Sequence, residues 1–517
     1  MGYNTILFNF LFMVEKVCSD VDGGLEDAMS NPEIARIVAL VKRNHVVTQI
    51  MQDYDHDSVT QGFPEAWMVA DAFAGRLKEI PREAVLGDLA RLKELWADAI
   101  EQEGITDEDL LEDLQMVWVY ARFTNPTVKR LEETISVIEG TEDTAVFASG
   151  LAAINATIEQ FTKPAGLVKM ERGNPGEEGY ESGEFNEILQ APGKVKEGWR
   201  VIEKVDLANK IVVIGSVYGG TFAQSQDMMR QAGREVTYMT ISQFIEEGLP
   251  DDTDFVHCET SNNPPLRVMP LERVVAEAKR VGELRGRKVY TSFDNTFTPL
   301  TVQPAVRGVD FVVHSITKYL GGHSRYLGGS VSGKTENIRQ FMNLKHGRRM
   351  VYGANMDRGV AREFLESMKD LPERLYRATQ NARKVKVIAE NFGLEVRHVE
   401  SDMGEYGWRY NKIRNKKIPQ SISNGMINID FGTVESARQF IDEMVKEGIG
   451  KGAVSLGCVK TYYSIPAETT HSEMPRDEQE KVGITPGMVR ISCGVESDLV
   501  EKFEKVLTRL FSGRAVA

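Results

Sequence analysis

The stretch Ser315-Ile316-Thr317-Lys318-Tyr319-Leu320-Gly321-Gly322-His323-Ser324 follows directly on the β-branched run Asp310–His314. A strand ending there places Lys318 on a carboxyl-end loop, between two hydroxyls and two glycines. A lysine amine held neutral by its surroundings can form an imine with an aldehyde cofactor. Ser315 and Thr317 can donate hydrogen bonds to a phosphate, and glycines let backbone come close. A lone lysine in a turn is ordinarily a solvated cation, so the neighbouring segments decide its meaning.

Working outward, the runs Thr144–Ala148, Ile211–Ile214, Asp254–Cys258 and Val289–Phe293 share the texture of Asp310–His314. Each is short, β-branched or apolar, and separated from the next by a helical pattern. This alternation predicts a mostly parallel sheet covered by helices on both faces. Ligands of such sheets gather at the carboxyl ends of the strands. Asp294 sits there in Ser292-Phe293-Asp294-Asn295-Thr296, where an unpaired carboxylate would be costly to bury. A protonated pyridine nitrogen is a natural partner, and a pyridoxal-5′-phosphate (PLP) site pairs a Schiff-base lysine with such an acid; an N-cap aspartate is the plainer alternative. Phe147-Ala148-Ser149-Gly150-Leu151 passes from strand to helix through Ser-Gly, and the free N–H groups of that first turn form an anion site. Tyr218, in Val217-Tyr218-Gly219-Gly220-Thr221, can stack on a planar ring or serve as an ordinary core or surface tyrosine.

These pieces, in this order, resemble the cystathionine γ-synthase-like family of sulfur amino-acid PLP enzymes. The resemblance covers roughly residues 118 to 512 and includes Tyr120-Ala121-Arg122-Phe123-Thr124-Asn125-Pro126-Thr127, Glu259-Thr260-Ser261-Asn262-Asn263-Pro264 and Val489-Arg490-Ile491-Ser492. It implies an α/β architecture, the PLP-dependent transferase fold type I: a mostly parallel central sheet with helices on both faces, plus a smaller α+β C-terminal domain. The boundaries expected are a helical N-terminal extension at 1–115, a PLP-binding large domain at 116–365 and a small domain at 366–517. By resemblance, Lys318 holds the cofactor and shuttles protons, Asp294 keeps its pyridine nitrogen protonated, and Tyr218 stacks on its ring and acts as an acid–base group. Ser149, Gly150, Leu151, Ser315 and Thr317 bind the phosphate, which Tyr120 and Arg122 reach from a neighbouring subunit. Arg490 clamps the substrate carboxylate, with Ser455 and Asn263 beside it and Asn263 near the cofactor's phenolic oxygen. A homodimer or homotetramer with shared active sites follows from that arrangement.

The departures fall near the substrate entrance and subunit contacts and leave the cofactor chemistry intact. The Pro-Pro-Ile-Tyr-type segment usual before the Tyr-x-Arg motif is replaced by an acidic helical stretch ending at Trp118. The span between Ile154 and Tyr218 is longer than usual, and its Gly- and Glu-rich part from Glu171 to Glu187 reads as a loop or insertion. Gly220 stands where methionine γ-lyases carry a cysteine. Ser455-Leu456-Gly457-Cys458-Val459-Lys460-Thr461 is closer to the Gly-x-x-Lys-Thr of acylhomoserine sulfhydrylases than to the Gly-Gly-x-Glu-Ser of many cystathionine enzymes. The expectation is γ-elimination or γ-replacement on a homoserine-derived or sulfur amino acid. The alternatives are a C–S lyase of the cystathionine γ- or β-lyase type, or action on a larger γ-substituted amino acid.

Composition narrows the field. A formal net charge of −14 over 517 residues leaves no broad basic surface for nucleic acid. Four widely spaced cysteines, Cys18, Cys258, Cys458 and Cys493, form no CxxC pair and suit a reducing cytoplasm better than a disulfide framework or a metal site. The apolar run Ile6 to Val14 lacks preceding basic residues and is too short to span a bilayer, so a packing segment or a start-site artefact is expected there rather than an export signal. Leu86, Leu89, Leu92, Leu95 and Trp96 recur at helical spacing, and Thr106 to Asp113 opens like a capped first turn. A Rossmann-type dehydrogenase would need GxGxxG at the first strand–helix turn, and Ser149-Gly150-Leu151 is not that pattern. A catalytically silent homologue would be expected to have lost Lys318, Asp294 or Arg490, and all three are present.

Overall fold

The structure is a computed structural model that describes residues 21–53, 80, 82–115, 122, 125–163, 167–173, 181–186, 199–204, 209–343, 346–401, 407–472 and 474–512. The run at 6–14 and Tyr120 lie outside them.

In chain order the strands are β1 (Asp143–Phe147), β2 (Leu167–Arg172), β3 (Glu181–Asn186), β4 (Trp199–Lys204), β5 (Lys210–Ile214), β6 (Glu235–Met239), β7 (Phe255–Glu259), β8 (Tyr290–Asp294), β9 (Phe311–Ser315) and β10 (Gly329–Gly333). The C-terminal strands are β11 (Glu395–Arg397), β12 (Met426–Asp430), β13 (Lys451–Gly452), β14 (Tyr462–Ser464) and β15 (Met488–Ser492). Seven of them form the central sheet in the order β1-β10-β9-β8-β7-β5-β6. β5 pairs in parallel with β6 and β7, and β7–β8 and β8–β9 are also parallel. β10 alone runs against the others in that sheet, antiparallel to both β1 and β9. The alternation of side chains along each strand loads both faces. Ile211 and Val213 join Phe255 and Phe311 in one buried cluster, while Val212 and Ile214 join Val256 and Phe293 in another. A sheet apolar on both faces must be covered twice, as the near-continuous hydrophobic runs predicted.

The five strands read from the sequence are all present, within a residue or so of their expected ends. Two more were missed: β6, an edge strand, and β10, whose Gly-Ser-Val-Ser-Gly composition carries no apolar run. The stretch Glu171 to Glu187 is corrected in part, because β2, β3 and β4 build a separate antiparallel three-stranded sheet around it, in the order β3-β2-β4.

The helices used below are α1 (Pro32–Asp53), α2 (Arg82–Leu95), α3 (Asp107–Gln115), α4 (Pro126–Glu139), α5 (Gly150–Phe161), α6 (Arg358–Met368) and α7 (Leu371–Asn391). In α2 the buried stripe runs through Val85, Leu89 and Leu92, whereas Leu86 and Leu95 face solvent, so the expected leucine stripe is only half buried. α3 opens with the expected reciprocal cap: the Asp109 amide donates to Thr106 Oγ1 (3.3 Å) and the Thr106 amide to Asp109 Oδ2 (2.7 Å). α1 packs into the body, where Ile34, Ile37 and Val41 share one apolar cluster with Leu131 and Ile135 of α4 and with Ile316 and Leu320 beside Lys318. The Asn44 amide seals that contact by donating to Thr134 Oγ1 (2.9 Å). The C-terminal sheet, in the order β11-β12-β15-β14-β13, has its own core built on Ile427, Val489, Phe440 and Phe503. No helix among the described residues is long and apolar enough to cross a membrane.

Candidate active site

Because β1, β5, β7, β8 and β9 run the same way, their carboxyl ends meet along one edge, and a cavity of about 180 Å³ opens there. After β9 the chain turns tightly, the Lys318 amide donating to Ser315 O (3.1 Å) and the Gly321 amide to Ile316 O (2.7 Å). Ile316, Tyr319 and Leu320 are buried beneath this turn, and Lys318 lines the cavity. Its Nζ donates to Ser455 Oγ (2.9 Å). Burial, reinforced by the Arg490 cation and opposed by Asp294, pushes the Lys318 amine down to about 8. Asp294, at the end of β8, is raised by its burial, while the Thr296 amide donating to Oδ1 (2.9 Å) pulls it back. The Thr296 hydroxyl in turn accepts from the Ser315 amide (2.8 Å), tying the ends of β8 and β9 together.

At the end of β1, Ser149 caps α5 by accepting from the Ala152 amide (3.1 Å). Gly150 is pressed so closely onto β9 that a Cβ there would lie 2.8 Å from Ser315 Cβ. The N-terminus of α5, with Gly150 and Leu151 lining the cavity, therefore abuts Ser315 directly. Across the cavity Arg490, from the middle of β15, is 2% exposed. Its Nη1 donates to Asn263 Oδ1 (3.0 Å) and its Nη2 to Val454 O (2.8 Å). Burial pushes the guanidinium down to about 10, so it stays charged at neutral pH.

Ten of the expected site residues, Ser149, Gly150, Leu151, Tyr218, Asn263, Asp294, Ser315, Thr317, Lys318 and Arg490, line this one cavity. Thr317 is less free than expected: its hydroxyl donates to Gly328 O (3.2 Å) and accepts from the Gly328 amide (3.0 Å). Ser455 meets Lys318 rather than the Arg490 fork. Arg122 is not among the lining residues of its own chain, and its guanidinium donates to Met350 O (3.1 Å). Three polar lining residues received no role from the sequence: Glu259, Ser261 and Thr296. Glu259 and Thr296 end or follow strands at the ligand edge, which was the available signal. No cluster of three His, Cys, Asp or Glu side chains among the described residues could hold a metal ion.

This constellation can be set against known proteins. A family model described as Cys/Met metabolism PLP-dependent enzyme matches residues 100–172 and 192–508. The chain belongs to that family. It is 28% identical over 402 residues to the cystathionine gamma-lyase of Bacillus subtilis (strain 168), covering 76% of this chain and 89% of that one. It is 28% identical over 397 residues to the cystathionine beta-lyase MetC of the same organism, covering 76% and 86%. Among solved structures, cystathionine gamma synthase from Xanthomonas oryzae pv. oryzae superposes with a TM-score of 0.61 at 22% identity, covering 76% of this chain and 88% of that one. Like other members of the Cys/Met family, this protein is a PLP-dependent enzyme with the fold type I architecture that the resemblance implied.

The cavity's donor set suits that cofactor. A phosphate fits where the α5 N-terminus, Ser315 and Thr317 converge, and the flush contact at Gly150 is a cradle that a Cβ would fill. A ring nitrogen fits the Asp294 carboxyl at the end of β8, and an aldehyde carbon fits the depressed amine of Lys318.

Proposed function

We propose that this enzyme eliminates or replaces the γ substituent of a homoserine-derived or sulfur amino acid. The observation that carries the reading is the pairing, in one small cavity, of a lysine amine at about 8 with the buried Arg490 fork. A fixed guanidinium suits a carboxylate through two parallel hydrogen bonds, so the substrate is an α-amino acid rather than an amine. PLP, when bound, supplies an electron sink for the carbon that loses its proton. Lys318, held by a single hydrogen bond to Ser455, serves as the base that moves protons between the α and β carbons, and that second proton transfer frees the γ substituent. Asp294 holds a proton on the ring nitrogen, Tyr218 covers the ring, and Asn263 orients Arg490.

Relatives named cystathionine beta-lyase match as well as one named cystathionine gamma-lyase, and they favour a second reading, cleavage of the β C–S bond. Deuterated water separates the two. With O-acetylhomoserine, O-succinylhomoserine or cystathionine, exchange at both the α and β carbons with release of 2-oxobutyrate supports γ chemistry. Exchange at the α carbon alone defeats it.

The position of Arg122 outside its own chain's cavity also supports an active site completed by a second copy of the chain, in a homodimer or homotetramer. Mixing inactive Lys318→Ala and Arg122→Ala chains should then restore part of the activity, and a fully active monomer would refute it. The buried thiols Cys258, Cys458 and Cys493, all unpaired, suit a reducing cytoplasm.

A further inference from the structure

Glu259 ends β7 with its side chain buried against the cavity, and burial together with the nearby Asp294 carboxylate raises its carboxyl well above the usual range. Such a group is expensive in that position unless its hydrogen bonds do something an apolar residue could not. Both of its oxygens are in use. Oε1 accepts from the Tyr218 amide (2.6 Å) and Oε2 from the Asn263 amide (2.9 Å). Those amides belong to the turns after β5 and β7, neighbouring strands of the sheet. A further bond from Ser216 Oγ to Asn263 O (2.8 Å) joins the same two turns.

We propose that Glu259 is a positioning residue that locks the ring-covering Tyr218 and the carboxylate-binding Arg490 into one unit. The inference rests on reading the cavity as the site of PLP and an amino acid. On one side, Tyr218 is 45% exposed and is followed by Gly219 and Gly220, so packing alone does not fix its ring. The bond from its backbone to Glu259 sets where the ring begins. On the other side, Asn263 presents Oδ1 to Arg490 Nη1, and Val454 O holds Nη2. Rotation of Asn263 would therefore turn the guanidinium fork. The glutamate carboxyl presents one oxygen to each amide. Glutamine would keep one and point an NH₂ group at the other backbone N–H, and aspartate is one methylene too short to reach both.

The test is Glu259→Gln in the full-length holoenzyme, with folding checked by circular dichroism and melting temperature. Two readouts are independent of turnover: the absorption band of bound PLP with its pH dependence, and the affinity for glycine titrated through that band. Loss of one buried hydrogen bond, which leaves a backbone N–H without its acceptor, should weaken glycine binding about ten- to a hundredfold and displace the band. Arg490→Lys should also cost less in the Glu259→Gln background than in the parent, because the fork has already lost its register. A folded Glu259→Gln protein with the parent's band and glycine affinity overturns the proposal, as do strictly additive penalties. If Glu259→Gln does not fold, Glu259→Asp carries the same test, with a smaller displacement expected and parent-like behaviour overturning it. A colourless parent that binds no PLP would defeat the reading of the cavity, whereas a yellow parent with indifferent Glu259 variants defeats this inference alone.

Discussion

The depressed amine of Lys318 predicts how fast the apoenzyme captures its cofactor at each pH. Only the neutral amine attacks an aldehyde, so capture should rise with pH and level off above a midpoint of about 8. With that midpoint about one molecule in ten carries a neutral Lys318 at pH 7, against about one in three thousand for an ordinary lysine, a gain of roughly three-hundredfold. Burial is the larger cause of the depression and Arg490 the second, while Asp294 opposes both. Removing the cation in Arg490→Gln should therefore raise the midpoint, but only part of the way to the ordinary value of 10.5. Removing the anion in Asp294→Asn should lower it, since the protonated amine loses an attraction. The assay follows the absorption band that grows as PLP attaches to the stripped protein from pH 6 to 10, with borohydride fixing the label for peptide mapping. A midpoint near that of free lysine, a downward shift in Arg490→Gln, or a label on another lysine would refute the reasoning.

Gly150→Ala should weaken PLP binding, because a Cβ placed 2.8 Å from Ser315 Cβ forces α5 off the end of β9. Equilibrium dialysis would show a rise in Kd of about tenfold or more, and an unchanged value would mean that the phosphate does not sit there. Gly220→Ala should drive the Tyr218 ring from its present position, since its Cβ would fall 2.6 Å from Tyr218 Cε1. The absorption band of the holoenzyme should move while Tm stays within a few degrees, and an unmoved band would sever the link between Gly220 and the ring. Phe311→Ala should cost about 3–5 kcal/mol, because this fully buried ring packs against Phe161 (4.4 Å between centroids), Tyr290 and Phe341. Urea titration would measure it, with exposed Met228→Ala as a control expected within about 0.5 kcal/mol of the parent.

The parts legible in the sequence were those in which a residue's chemistry and its local pattern agree. β5, β7, β8 and β9 are β-branched or aromatic runs buried on both faces, and the polar residues at their ends mark the ligand edge. β10 was not legible because its environment, rather than its propensity, makes it a strand. Ser332 Oγ bonds Thr144 Oγ1 (2.8 Å) across to β1, and Gly329 lies where a Cβ would fall 2.2 Å from Ser149 O. Its residues answer to neighbours far away in the chain. Glu259 escaped for a similar reason: its partners are backbone amides at Tyr218 and Asn263, and no motif reports a hydrogen bond to backbone. The stripe in α2 shows the limit of periodicity, which found the helix but could not tell that Leu86 and Leu95 would face solvent.

The match to the Cys/Met family begins at residue 100, yet the apolar cluster under the Lys318 turn takes in Ala28, Ile34, Ile37 and Val41. A chain trimmed back to what its relatives share would leave Leu131 and Ile135 wet on the side where α1 now lies. The helices ahead of the shared part thus supply floor to the turn that carries Lys318, instead of resting on its outside.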